Sequence, residues 1–231
     1  MNSLKKEKTQ VLVLGTMHKF HKESNTYTYD DVFKIIDDFN PNILGVEIRE
    51  EDMSQSREYL SKYYPYEMIE ALFRWSKHIG VFGVDYYEKS VEGKLIPEGY
   101  FNNFYINEMQ NKFEIDPLLT KERYALDICG NKRNEMIDTN LTAAELNDGR
   151  YDIICDIYYN QLESLLKKTP YEEMANFYKE RDKHIDKNII NIIEKNIGKK
   201  LVFILGADHR GFAINAIKEN FHDTIDIVRV K

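Results

Sequence analysis

The chain has 231 residues, a formal net charge of −7 and an isoelectric point near 5.5, with acidic and basic side chains interspersed. That balance argues against nucleic acid as the main partner, since no basic stripe or tail is present. The length suits one compact domain with a full three-layer core.

Residues Met1 to Gln10 are polar and lysine-rich, which is not the pattern of a signal peptide. The longest aliphatic or aromatic run, Leu201–Leu205, is far too short to span a membrane, and a cytoplasmic location with no membrane partner is expected. Cys129 and Cys155 fit no metal spacing and read as reduced thiols.

In chain order, Val11–Leu14 is the first short apolar run and reads as a buried strand. Thr28 and Asp31 then form a capping-box signature for a helix over Tyr29–Phe39, which Asn40-Pro41 stops. Ile43–Val46 is a second strand. Met68, Ile69, Leu72, Phe73 and Trp75 give helical spacing over Tyr66–Ile79, with Gly80 at its end. Val81–Val84 is a third strand. Near-continuous apolar strands separated by helices argue for a parallel sheet covered on both faces.

From about residue 86 to 168 the strand runs vanish and tyrosine, glutamate and lysine dominate, with a helical stretch over Tyr151–Lys168. This region reads as a helical insertion or cap, its aromatics serving core packing first. Thr169-Pro170-Tyr171-Glu172 then predicts a long helix with Thr169 as N-cap, running to about Ile197 with Gly198 just beyond. Leu201–Leu205 is a fourth buried strand, and the alternating Ile225–Val230 suits an edge strand. The fold class expected is three-layer α/β, with a mostly parallel central sheet and residues 86–168 inserted over its carboxyl edge, in a single domain spanning 1–231.

Two of the strands end alike. Val11–Leu14 leads into Gly15-Thr16-Met17-His18, and Leu201–Leu205 into Gly206-Ala207-Asp208-His209. With 11 glycines and 6 histidines in the chain, roughly 0.3 Gly-x-x-His matches arise by chance, so two that both follow aliphatic runs carry weight. Each strand is expected to break at its glycine and present the histidine beyond it. Glu47 follows the second strand and Asp85 the third. Ligands of open α/β sheets bind outside the carboxyl ends of parallel strands, where all four residues would meet. Two imidazoles with one or two carboxylates suit a divalent metal (zinc, manganese or iron), with His18, Glu47, His209 and Asp85 as ligands. They equally suit a metal-free general acid–base site, and the residues alone leave both open.

Arg181 and Asp182 fall within the apolar stripe Tyr171, Met174, Tyr178, Ile185, Ile189, Ile192 of the long helix. A charge on a core-facing stripe is costly unless paired or used. Arg181 therefore stabilises an oxyanion or bridges to Glu47 or Asp85 as a structural pair. His21 forms His-x-x-His with His18, His184 faces the surface on the helical wheel, His78 sits near a helix end and His222 in a polar turn.

Gly15-Thr16-Met17-His18, Gly45-Val46-Glu47-Ile48-Arg49, Gly83-Val84-Asp85, Glu180-Arg181-Asp182 and Gly206-Ala207-Asp208-His209-Arg210-Gly211, in that order, resemble the TraB/PrgY/Tiki group and the wider superfamily that takes in erythromycin esterase and ChaN-like proteins. The resemblance implies an α/β fold with both Gly-x-x-His motifs, a Glu and an Arg at one site. It also implies hydrolysis of a peptide or ester bond, metal-dependent in Tiki-like members and histidine-based in esterase-like ones. On this reading His18, Glu47, Arg181 and His209 carry the chemistry, toward a peptide or small-molecule substrate. The alternative is a non-catalytic protein that sequesters a peptide or small ligand in the same cleft.

Overall fold

The computed structural model describes residues 8–138 and 141–231. Five strands, β1 (Thr9–Thr16), β2 (Ile43–Arg49), β3 (Gly80–Asp85), β4 (Lys200–Gly206) and β5 (Ile225–Val228), form one sheet in the order β3-β2-β4-β1-β5. Every pairing is parallel, so the strands' carboxyl ends lie along one edge.

Successive strand residues point to opposite faces, and the core divides accordingly. Leu12 and Leu14 of β1, Leu44, Val46 and Ile48 of β2, and Val202 and Ile204 of β4 face helices α1 (Tyr29–Phe39), α2 (Arg57–Leu60) and α3 (Tyr66–Trp75). Val11 and Val13 of β1 and Leu201, Phe203 and Leu205 of β4 face the other way. Thr28 caps α1 with the reciprocal Thr28–Asp31 bonds read from the sequence. Gly45 has no side chain because the Phe203 ring lies where one would go; an added Cβ would stand 2.3 Å from Phe203 Cδ1.

Among the described residues the segment between β3 and the long helix holds no strand: its elements are α4 (Tyr105–Ile115), α5 (Thr120–Asp138), α6 (Ala143–Leu146) and α7 (Arg150–Leu166), with short 3-10 turns before and after α4. It has its own small core of Phe104, Ile106, Phe113, Leu126, Leu162 and Leu166. Helix α8 (Glu172–Glu194) joins this cap to the sheet. Its Met174 and Ala175 pack into the cap core, while Ile185, Ile189 and Ile193 pack on the sheet beside α9 (Ala207–Phe221). A 23-residue helix is about 35 Å long, so it reaches past the sheet edge, and its midpoint falls where the strands end.

Three local expectations change. Helix α8 starts at Glu172, not after a Thr169 cap. Lys168 adopts φ +63, the Thr169 hydroxyl donates back to the Leu166 carbonyl, and the Glu172 carboxylate accepts the Lys168 N–H, so the capping atoms close the α7–α8 turn instead. Ile193, not Ile192, continues the buried stripe. Gly15 does not break β1, which continues paired through Thr16. Among the described residues, no helix is long and apolar enough to cross a membrane.

Candidate active site at the carboxyl edge of the sheet

Strands β1 and β4 are neighbours, so the two Gly-x-x-His motifs lie side by side. They are one residue out of register: Gly15 stands opposite Leu205, and Thr16 opposite Gly206. A one-residue offset reverses the face that equivalent residues address. The chain leaving β1 presents His18 to α3, whereas β4 runs straight into α9, with His209 in its first turn beside α8.

His18 begins a 3-10 turn with φ +50, a region that non-glycine residues avoid. Two contacts hold it there. Tyr29 Oη donates to the His18 carbonyl (3.0 Å), and the ring Nδ1 lies 2.8 Å from Glu67 Oε1. The Thr16 hydroxyl donates to the same Glu67 oxygen at 3.0 Å. Glu67 is fully buried whereas His18 is 37% exposed, so the dyad has a buried carboxylate and an imidazole open to the cleft. Burial lowers the His18 pKa, but the Glu67 hydrogen bond and the Glu47 charge outweigh it, and the net shift is upward. With Nδ1–H on Glu67, Nε2 carries the lone pair.

Nε2 points at Gly206. A Cβ there would sit 2.6 Å from His18 Nε2 and 3.3 Å from Glu47 Oε2. The Gly206 N–H donates to Glu47 Oε2. Glycine is required here by close approach, since its φ of −53 is open to any residue.

Arg181 ties the remaining residues together. Its Nη2 donates to Glu47 Oε1 (2.8 Å), its Nε to Asp85 Oδ1 (2.9 Å) and the Tyr86 carbonyl (3.1 Å), and its Nη1 lies 3.0 Å from His209 Nε2. Asp182 receives His209 Nδ1 at 2.5 Å. The stripe position of Arg181 and Asp182 thus has a physical cause: both are paired. Burial opposes ionisation of Glu47, but His209 (protonated at the acid pH where Glu47 titrates), Arg181, His18 and the Gly206 N–H prevail and hold its pKa at about 2. Asp85, buried and beside the charged Glu47, is pushed up despite Arg181.

His209 is pulled both ways. Burial and the Arg181 charge lower its pKa, Glu47 and Asp182 raise it, and the sum lies at about 9. The donor geometry points to the opposite state. A guanidinium can only donate, so the Arg181 contact requires an unprotonated Nε2. Two cations at that separation would repel, and we assign His209 as neutral at neutral pH, with its hydrogen on Nδ1 facing Asp182.

His18, Glu47, Asp85, Arg181 and His209 therefore surround one cleft. As a divalent-metal site, however, the donor set does not fit. The Arg181 guanidinium stands among Glu47, Asp85 and His209, where an ion would have to be, and each is already bonded to it. Among the described residues, no group of three or more His, Cys, Asp or Glu is arranged to hold a metal ion.

Other expectations resolve locally. His21 is buried, accepts the Met17 N–H at Nε2 (2.8 Å) and donates from Nδ1 to the Tyr27 carbonyl (2.7 Å), so it pins the loop behind His18. Its burial lowers its pKa in keeping with that neutral role. His184, expected at the surface, is half-buried because its ring stacks on Tyr86 at 3.7 Å. Glu67 and the pairing role of Asp182 escaped the sequence reading. Glu67 had no such signal, because on the helical wheel it lies away from Met68, Ile69 and Leu72, on the side that reads as exposed.

Above this floor lies a cavity of about 840 Å³ between the sheet edge and the cap. Arg133 of α5 and Asp208 of α9 line it and pair with each other at 3.2 Å. Tyr151 and Tyr159 of α7 also donate to Asp208, fastening the cap to the second motif.

No family profile matches this chain, and no curated protein does. A search of solved structures finds an erythromycin esterase mutant in its open conformation, at 10% sequence identity and a TM-score of 0.34, over 96% of this chain and 69% of that one. The class that the fold and site define is an α/β protein with a charged, two-histidine cleft at the carboxyl edge of a parallel sheet.

Proposed function

We propose that the chain is a hydrolase of ester or peptide bonds that uses His18 as general base without a resident metal. The observation that carries the reading is the His18–Glu67 dyad. A buried carboxylate fixes the ring and its tautomer, and leaves Nε2 as a proton acceptor at the floor of a substrate-sized cavity.

In this reading a water gives its proton to His18 Nε2 as its oxygen adds to the substrate carbonyl carbon. The carbonyl electron pair moves onto oxygen. The first turn of α9, which has no side-chain cap, offers backbone N–H groups and the positive end of its dipole to that oxyanion. Collapse of the tetrahedral species expels the alcohol or amine, which takes the proton back from His18. Glu67 and Glu47 stabilise the transient imidazolium. Arg181, bonded to Asp85, holds Glu47 and His209 in place around the cleft.

The test is turnover on a panel of aryl esters and short peptides, before and after exhaustive chelation. His18→Ala is expected to abolish turnover in a chain that still folds, with a lowered melting temperature because buried Glu67 loses its imidazole partner, and chelation to leave the wild type active. Loss of activity on chelation, restored by zinc, manganese or iron, would return the metal reading. A folded wild type that binds ligands but turns nothing over would identify the protein as a sequestering one.

A further inference from the structure

The charges of the cavity are unevenly matched. Glu47, Asp85 and Asp208 line it against Arg133 and Arg181, and no lysine does so among the described residues. Both arginines are already engaged. Arg181 is bonded to Glu47 and Asp85, and Arg133 to Asp208. Directly behind the two imidazoles, Glu67 and Asp182 add two further carboxylates. An anionic substrate group would find every guanidinium in the cavity held by a carboxylate, while a cation would enter a region of excess negative charge.

The walls favour the same sign. Tyr63, Tyr87, Phe101, Phe104, Phe177 and Tyr178 line the space between the sheet edge and the cap. Ring faces are electron-rich and attract cations. Those of this site already do so: the Arg49 and Arg181 guanidinium groups lie 5.6 and 5.7 Å from the Tyr87 ring centre. Two of the ring hydroxyls have partners within the protein, Tyr178 Oη accepting from Gln110 and Tyr87 Oη donating to the Tyr63 carbonyl.

We infer that the substrate is an organic cation: an ester or amide that carries an alkylammonium group, seated among the aromatic walls while its carbonyl reaches His18. The inference rests on the hydrolase reading for the reaction but not for the binding.

The purified full chain is assayed on benzoylcholine and on its uncharged isostere, 3,3-dimethylbutyl benzoate. The expected result is at least about a tenfold higher kcat/KM for the cation at low ionic strength, narrowing in about 0.5 M salt. Phe177→Leu is expected to shrink the preference. Calorimetry with benzyltrimethylammonium and with benzenesulfonate measures binding alone, and only the ammonium compound is expected to bind. Equal turnover of the two esters would overturn the inference and leave the hydrolase standing. Selective ammonium binding without turnover of any ester would uphold the inference and remove the hydrolase. Tighter binding of the sulfonate, or binding of neither compound with no cationic preference in turnover, would overturn the inference.

Discussion

Glu67 Oε1 accepts from both His18 Nδ1 and the Thr16 hydroxyl, while Glu67 Oε2 is buried with no partner among the described residues. A half-satisfied buried carboxylate is expensive to keep. Its charge is offset mainly when His18 carries a proton, so the pair is built around proton uptake by that ring.

Glu67→Gln tests this directly. The amide keeps the shape and removes the charge that raises the His18 pKa. The rising limb of kcat/KM against pH is expected to move to lower pH, with kcat/KM down about 10- to 100-fold at its plateau. A folded pKa above the unfolded one contributes stability below the unfolded value, lost as pH rises through the folded value. The variant's loss in melting temperature should thus be larger at acidic pH than in alkali. A limb that stays in place would remove Glu67 from the mechanism.

Removing Arg181 leaves Glu47 and Asp85 facing each other in a buried site. Arg181→Met is expected to cost about 3 kcal/mol of unfolding free energy, measured by urea titration. Adding Glu47→Gln and Asp85→Asn to it should recover most of that loss. If the single variant is as stable as wild type, the ion cluster is not what holds α8 to the sheet edge.

Gly206→Ala separates packing from backbone freedom. Its backbone conformation is available to alanine, yet the new methyl would collide with His18 Nε2 and crowd Glu47. Turnover should fall about 100-fold through displacement of the base, with a modest drop in melting temperature. Unchanged kinetics would mean that His18 does not work from this position.

Glu47 predicts a sign for acid stability. Its folded pKa of about 2 lies below its ordinary value of 4.5. It therefore contributes stability above pH 4.5 that is lost as pH falls toward 2. Melts at pH 7, 4 and 3 should show wild type losing more stability over that window than Glu47→Gln does. Parallel curves would place the acid-sensitive group elsewhere.

Much of this architecture is legible in the residues themselves. Apolar runs of four or five residues mark four of the five strands, because a strand covered on both faces must be apolar nearly throughout. Arg181 was legible by the same logic of burial: a charge inside an apolar stripe must have a partner. His18, Glu47, Asp85 and His209 were legible as residues that follow strand runs, since in a parallel sheet all such positions share one edge.

The tertiary structure decided what those residues do to one another. Nothing local in Tyr66–Trp75 says that Glu67 will meet His18, which is 49 residues away in sequence, and nothing in β1 or β4 specifies a one-residue offset between their motifs. Helix α9 was hidden because Gly206, its N-cap, carries no capping side chain and Gly211 weakens its second turn on propensity, so His209 reads as a loop residue until the helix is seen packing on the sheet. The place of a metal was open in sequence because the same two histidines and two carboxylates serve either chemistry. Only the path of α8, which carries the Arg181 side chain into the middle of them, shows that a guanidinium stands there, and that follows from long-range packing rather than from spacing along the chain.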